Sequence, residues 1–267
     1  MAAAPIADPL RGPPPREIPL KRAPLLRVIA QVRFPTLLAV RSADRVSGFQ
    51  DAVRERYPYL EREDIAMLSV GPISVPDASH EAVVHWRFWD AQRKWRTTLN
   101  QDFLAIETTA YESRADFMAN LGEVLRAFQT IFQPNSATRL GMRYIDQIKP
   151  PSVERITDLL IPEIVGTAKF FGKEAQHLIT QLSVNASPGS LVARWGKLPK
   201  GMTVDPTVMQ PTEEESWIID LDLSETSETT FDPEALIARV RTYAERIYTV
   251  FRWMVTDEFL REYGGDV

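Results

Sequence analysis

Two long amphipathic helical patterns, each preceded by a run of strand-like segments, constrain the fold more than any other feature of the sequence. The first begins after Ser113 and the second after Asp232, and both repeat apolar residues at alternating spacings of three and four. Their apolar stripes are Phe117, Leu121, Val124, Phe128 and Ile131, and then Leu236, Val240, Tyr243, Ile247, Val250 and Met254. Because such a stripe is stable only against another layer, the patterns predict helices packed on a sheet.

Strand-like segments are distributed between the two halves of the chain. In the first half we predict strands at Leu25–Phe34, Ile65–Val75, Ala82–Trp89 and Trp95–Tyr111, the last with a bulge or turn at Asn100-Gln101-Asp102 between Trp95–Leu99 and Phe103–Tyr111. In the second half we predict strands at Thr138–Ile148, Leu178–Ala186, Leu191–Leu198 and Trp217–Ser224. Short helices are predicted after the first strand of each half, one with Val46, Phe49, Val53 and Tyr57 on its apolar face and one at Val153–Leu160.

The order of these elements is β-α-β-β-β-α, followed by β-α-β-β-β-α. It predicts an α+β fold with a mainly antiparallel or mixed sheet and long helices packed on one face. An internal duplication, with a cleft where the halves meet, is one explanation; a coincidental match between two amphipathic helices is the alternative. The predicted boundaries are 1-22 for a flexible, proline-rich basic arm, 23-134 for the first half and 135-267 for the second, which contains an acidic loop at 201-216.

Composition narrows the chemistry that is open to the chain. Cysteine is absent, which excludes disulfides, thiol nucleophiles and thiolate metal sites, and the three histidines are His80, His85 and His177. The net charge of −5 does not favour broad nucleic-acid binding. Residues 1–33 nevertheless carry a local charge of +4, while residues 201–238 contain ten acids and no Lys or Arg. We interpret the acidic run as a solvated loop, or as an attractant for the basic arm.

The segment Arg139-Leu-Gly-Met-Arg-Tyr-Ile-Asp146 is the most distinctive local pattern. On a strand, Arg139, Gly141 and Arg143 share one face, and the glycine leaves room for a ligand to approach the backbone. Two guanidinium groups at this spacing could bind a carboxylate or phosphate. The alternative is that these arginines pair with acids on neighbouring strands, such as Glu107, Asp220 or Asp222.

Two further groups of residues are candidates for function. Asp220 and Asp222 project from one strand face and are weak candidates for binding a metal, although alternating polar residues on a solvated strand face are the commoner case. Among the clustered tryptophans, Trp89 and Trp95 are candidates for an interface, with core packing as the alternative. No zinc-hydrolase, nucleophile-elbow or phosphate-loop spacing occurs in the sequence.

Several of these segments together resemble a sporadically distributed family of prokaryotic proteins that has no assigned function. The resemblance is carried by Gln31-Val32-Arg33-Phe34-Pro35, by Asp102-Phe103-Leu104, by the Arg139–Asp146 segment and by Val255-Thr256-Asp257. It covers nearly the whole chain after the arm. A histidine is common in the last helix of the family, where this chain has Tyr243, so the resemblance transfers no catalytic residue.

The sequence favours a cytoplasmic, non-enzymatic interaction or ligand-binding protein without a cofactor. Its expected partner is a protein, a small anionic ligand or a second copy in a homodimer, and a role in a laterally transferred defence or toxin-control module is one expectation. No membrane association is predicted. One alternative is a metal-dependent hydrolase or phosphotransfer enzyme that uses Asp220 and Asp222. A second is association with nucleic acid through the basic arm.

Overall fold

The fold is taken from a computed structural model, which describes residues 6–65 and 83–267. Its strands are β1 Leu25–Arg33, β2 Tyr59–Ile65, β3 Val83–Trp89, β4 Trp95–Leu99, β5 Phe103–Thr108, β6 Ser136–Ile148, β7 Leu178–Asn185, β8 Ser190–Leu198 and β9 Ser216–Thr230. Its α-helices are α1 Ala43–Val53, α2 Arg114–Phe132, α3 Ile156–Leu159, α4 Pro162–Val165, α5 Ala168–Phe171, α6 Pro233–Met254 and α7 Asp257–Glu262. None of the helices in the described ranges is both long and apolar enough to cross a membrane.

The α+β class is confirmed, and the sheet is antiparallel. Its nine strands lie in the order β2-β3-β4-β5-β1-β6-β9-β8-β7. The predicted sequence order is therefore largely present, with one additional strand in the first half. The chain divides into two compact units, one consisting of Met1–Ile29, Gly141–Glu225 and Ala238–Val267, the other of Ala30–Leu140 and Thr226–Ile237.

Several elements differ from the prediction in their bounds. The strand predicted at Ile65–Val75 lies outside the described residues except for Ile65, which is the last residue of β2; residues 66–82 are not described. The last long helix ends at Met254, which is also the last residue of its predicted stripe, because Val255 forms a β-bridge with Leu160 and Thr256 then caps α7 by accepting a hydrogen bond from the Phe259 N–H. The helices α4 and α5 were not predicted.

The unit that contains α1 and α2 is built around stacked aromatic side chains. The rings of Phe34 and Phe128 lie 4.7 Å apart, and those of Phe49 and Phe88 lie 5.2 Å apart in an edge-to-face arrangement. Ser113 begins α2 by accepting a hydrogen bond from the Asp116 N–H, as its sequence predicts. The predicted apolar face of α1 is confirmed, since Phe49 and its neighbours on the stripe are buried.

The other unit contains β7, β8 and most of α6. The α6 stripe from Val240 to Met254 is buried, which confirms the predicted helical face. On β8, Leu191, Ala193 and Trp195 are buried, and the Trp195 indole donates a hydrogen bond to the Ile164 carbonyl oxygen. Gly196 has φ +147°, and a Cβ there would collide with the Leu178 carbonyl oxygen. Glycine is therefore required for β7 to begin its pairing with β8.

The proline-rich N-terminal residues, expected to be flexible, make specific contacts in the structure. The Ile18 N–H donates a hydrogen bond of 2.8 Å to the Tyr248 hydroxyl. Arg246 donates to the Pro9 carbonyl oxygen at 3.1 Å, and Arg22 donates to the Glu262 carbonyl oxygen at 2.6 Å. The described part of the arm therefore lies along α6 and α7.

Candidate functional site

A network of charged side chains surrounds Arg143, one of the arginines predicted to bind an anion. Its Nε and Nη2 donate hydrogen bonds of 2.8 Å to the two carboxylate oxygens of Asp220, in a bidentate arrangement. Its Nη1 donates a hydrogen bond of 3.0 Å to Asp205 Oδ2. Arg194 Nε lies 3.2 Å from the same carboxylate of Asp220. We call Arg143, Arg194, Asp205 and Asp220 the arginine–aspartate cluster.

Strand register explains how distant residues meet in this cluster. Arg194 on β8 lies directly opposite Asp220 on β9. Arg143 comes from β6, which neighbours β9 in the sheet, so that Asp220 is approached from both sides. Asp205 lies in the connection between β8 and β9 and is held there by hydrogen bonds with Thr203 and Thr207. The cluster thus depends on both the sheet and one connecting segment.

Because the cluster is largely removed from water, its charged side chains interact strongly with one another. Asp220 is 1% exposed and the Arg143 side chain is 13% exposed. Burial alone would lower the pKa of Arg143, but the hydrogen bonds and charges of Asp220 and Asp205 raise that pKa above its usual value. Partial burial works to raise the pKa of Asp205, yet hydrogen bonds from Thr207 and Arg143 hold it below its ordinary range. Both shifts favour the charged forms of Arg143 and Asp205.

The alternative interpretation of Arg143, pairing with an acid on a neighbouring strand, is the arrangement present in the structure. An anion that binds Arg143 would have to displace Asp220 and Asp205. Arg139 Nη1 donates a hydrogen bond of 3.1 Å to Gln31 Oε1, and Gly141 between the two arginines is buried. The structure therefore does not bring Arg139, Gly141 and Arg143 together as an open anion site.

The two carboxylates proposed to bind a metal are also engaged by other residues of the chain. Asp220 and Asp222 lie two residues apart on β9, and both oxygens of Asp220 contact arginines. Within residues 6–65 and 83–267, no group of three or more His, Asp or Glu side chains has the arrangement of a metal site. Asp220 is thus the counter-charge for two arginines.

The two tryptophans predicted at an interface are half-buried within their own unit. Trp89 donates a hydrogen bond of 2.8 Å from its indole to Glu61, and Arg96 lies over its ring at 4.9 Å. Trp95 packs on Phe117, with ring centroids 5.6 Å apart. Both side chains therefore have extensive contacts within the chain.

A buried carboxyl group close to the cluster has a different environment. Asp146 lies three residues after Arg143 on β6, so the alternation of a strand directs it to the opposite face. It is 6% exposed, and burial together with the charge of Asp220 raises its pKa to about 7. Asp146 experiences the repulsion of Asp220 without the direct arginine contacts that stabilise Asp220.

A groove with a volume of about 750 Å³ lies between α1 and α2. Three of its four charged lining residues form ion pairs, because Arg56 contacts Glu123 at 2.9 Å and Arg126 contacts Glu234 at 2.7 Å. These ion pairs connect the groove's own walls and the neighbouring α6.

An exposed apolar segment was missed by the sequence analysis. Phe170 and Phe171 on α5 are 85% and 62% exposed, and Leu182 on β7 is 45% exposed. We call residues 168–185 the α5–β7 segment. It holds three of the seven large apolar side chains that are exposed in the described residues, the others being Leu38, Tyr59, Met202 and Val267. The two adjacent phenylalanines could have indicated this exposed segment, because they follow Gly166 and belong to no apolar stripe with helical spacing.

Comparisons with known proteins give no further assignment. No protein-family model matches the chain, and no curated protein is significantly similar to it. The functional argument therefore rests on the geometry of the described residues.

Proposed function

We propose that this protein functions by binding another protein, without catalysing a reaction, and that it binds through the α5–β7 segment. The observation that carries the proposal is the exposure of Phe170 and Phe171, two adjacent aromatic side chains on a single helical turn. Aromatic side chains provide much of the binding energy of protein interfaces, whereas leaving them in water forgoes the gain from burial. A partner that covers both rings would recover that gain.

The charged residues support a binding role by their arrangement. The side chains most suited to chemistry in the described residues, those of the arginine–aspartate cluster, bind one another. The α5–β7 segment is different, since its exposed aromatic rings are available to a partner. We also propose a cytoplasmic location, because a chain without cysteine requires no oxidising compartment.

The test uses a photo-reactive amino acid at position 170 of the full-length protein in its host. A cross-linked protein is identified, purified and titrated against the wild type and two variants. Phe170→Ser combined with Phe171→Ser should weaken binding by about tenfold or more, as expected for interface anchors. The matched control is Leu38→Ser, because Leu38 is 65% exposed but lies in the other unit. Equal affinity of the double variant and the control would overturn the proposal.

The strand order also supports an origin by internal duplication. The first strand of each half, β1 or β6, lies beside the last strand of the same half, β5 or β9, and the two first strands are neighbours. In each half a long helix, α2 or α6, follows that last strand. A duplication would make these elements equivalent. Superposition of the two halves should place β1, β5 and α2 on β6, β9 and α6; failure of the strands to superpose would contradict a duplication.

A further inference from the structure

The two end strands of the sheet differ in their protection against pairing with another strand. The strand β2 carries four charged residues in sequence, Glu61, Arg62, Glu63 and Asp64. The strand β7, with the sequence LITQLSVN, carries none. Charged side chains and proline are the usual devices that prevent an edge strand from pairing with another chain. These devices are present on β2 and absent from β7.

The outer side of β7 is available for such pairing. Its eight residues pair with β8 from Leu178 opposite Lys197 to Asn185 opposite Ser190. It is the last strand in the sheet order, so no other described strand pairs with its outer side. Residues 180–183 are exposed. An antiparallel strand could therefore form a regular ladder along the whole length of β7.

We infer that the partner on the β7 edge is a second copy of this chain, joined by antiparallel β7–β7 pairing about a twofold axis at Leu182. The inference rests on the proposed function, because it assigns part of the α5–β7 segment to a partner. Phe170 and Phe171 remain outside the strand pairing, so the two claims can fail separately.

Symmetry restricts the registers that two copies of β7 can adopt. A twofold axis perpendicular to the sheet keeps each side chain on its own face, so even-numbered residues must lie opposite even-numbered residues. A register centred on Leu182 places the two Leu182 side chains opposite each other and places Thr180 opposite Val184. Polar residues also match, because Gln181 then lies opposite Ser183. No like charges meet, since β7 has none.

This register also extends an apolar surface that is already present. Leu182 lies opposite Ala193 on β8, and Thr180 lies opposite Trp195, so these even-numbered residues share the buried face of β8. Addition of a second β7 would continue this face through Leu182 and Val184 of the other copy. The half-exposed Leu182 would then be covered on its open side.

The complete absence of cysteine provides a direct test. Single cysteines are introduced at positions 180, 181, 182, 183 and 184 of the full-length protein and oxidised. Residues directly opposite in an antiparallel pair have Cα atoms about 4.5–5.5 Å apart, within the range for a disulfide. Leu182→Cys should therefore form a covalent dimer most rapidly, with a maximum at this single position. Equal cross-linking at all five positions, or a maximum elsewhere, would overturn the proposed register.

A measurement without cross-linking tests the dimer itself. Light scattering across a concentration series should give twice the monomer mass at high concentration. Leu182→Lys, which places two lysines opposite each other, should raise the dissociation constant by about tenfold or more. The matched control is Tyr59→Lys, because Tyr59 is 49% exposed on the charged end strand β2, and it should leave the dissociation constant unchanged.

The outcomes separate the inference from the proposed function. A monomer at all concentrations, or a dimer that Leu182→Lys does not weaken, overturns the β7–β7 inference and leaves the role of Phe170 and Phe171 intact. Cross-linking at position 182 together with unchanged partner binding by the Phe170→Ser/Phe171→Ser variant overturns the proposed function and supports the inference.

Discussion

The arginine–aspartate cluster and the α5–β7 segment belong to the same compact unit, yet they show opposite relations to solvent. The cluster concentrates four charges, and Asp220 at its centre is 1% exposed and contacted by two arginines. The α5–β7 segment leaves Phe170 85% exposed, and its strand β7 carries no charge. The charged residues of the cluster thus contact one another inside the protein, whereas the apolar residues of the α5–β7 segment are exposed to solvent and available to a partner.

This difference follows from the free energies of the two kinds of group. A charge removed from water is strongly destabilising unless another charge and hydrogen bonds replace its hydration. Apolar side chains on the surface are individually tolerated, but they gain free energy whenever a partner covers them. We therefore expect substitutions in the cluster to change folding and substitutions in the α5–β7 segment to change association.

Removal of the central carboxylate should have the largest effect. Asp220→Ala leaves the partly buried Arg143 and Arg194 without their shared counter-charge, and we expect a loss of about 3–5 kcal/mol in the free energy of unfolding. Urea denaturation monitored by tryptophan fluorescence measures it. The control is Glu213→Ala, because Glu213 pairs with Lys200 while 88% exposed and should cost less than about 0.5 kcal/mol. Equal losses for the two variants would contradict a structural role for the cluster.

Asp146 should make the free energy of unfolding depend on pH, because its charged form destabilises the folded protein. Its pKa is raised from 3.8 to about 7 in the folded protein by burial and by the charge of Asp220, so the folded state retains a proton that the unfolded state has lost. Its contribution to stability is fully present below pH 3.8 and is lost as the pH rises through 7. The wild type should therefore become less stable as the pH rises from 3.8 to 7.

Asp146→Asn tests this assignment, because the amide cannot lose a proton. The variant should gain about 1–3 kcal/mol relative to the wild type when the pH is raised from 5 to 8. Denaturation at both pH values measures the difference, and effects of the histidines cancel in it because both proteins retain them. A difference that does not change with pH would show that Asp146 has an ordinary pKa.

The sequence predicted the elements better than their arrangement. The stripe from Val240 to Met254 and the cap at Ser113 were predictable because both depend on local periodicity and spacing. The single-turn helix α5 was not, since four residues contain no period. Asp220 was among the acids proposed for pairing with the arginines, but its selection required the strand register. The position of β7 at the sheet edge depends on long-range pairing that local sequence does not encode.

The smallest effect on folding is expected at the two exposed phenylalanines, where the comparison between the regions is most sharply tested. Phe170→Ser combined with Phe171→Ser removes side chains that are 85% and 62% exposed, so we expect the free energy of unfolding to change by no more than about 0.5 kcal/mol. The same urea denaturation used for Asp220→Ala measures it at a protein concentration below that of any association. A loss of several kcal/mol would mean that the rings stabilise the fold, and their exposure would no longer argue for a partner. A neutral result combined with weakened binding would instead separate a region that maintains the fold from a region that is used for recognition.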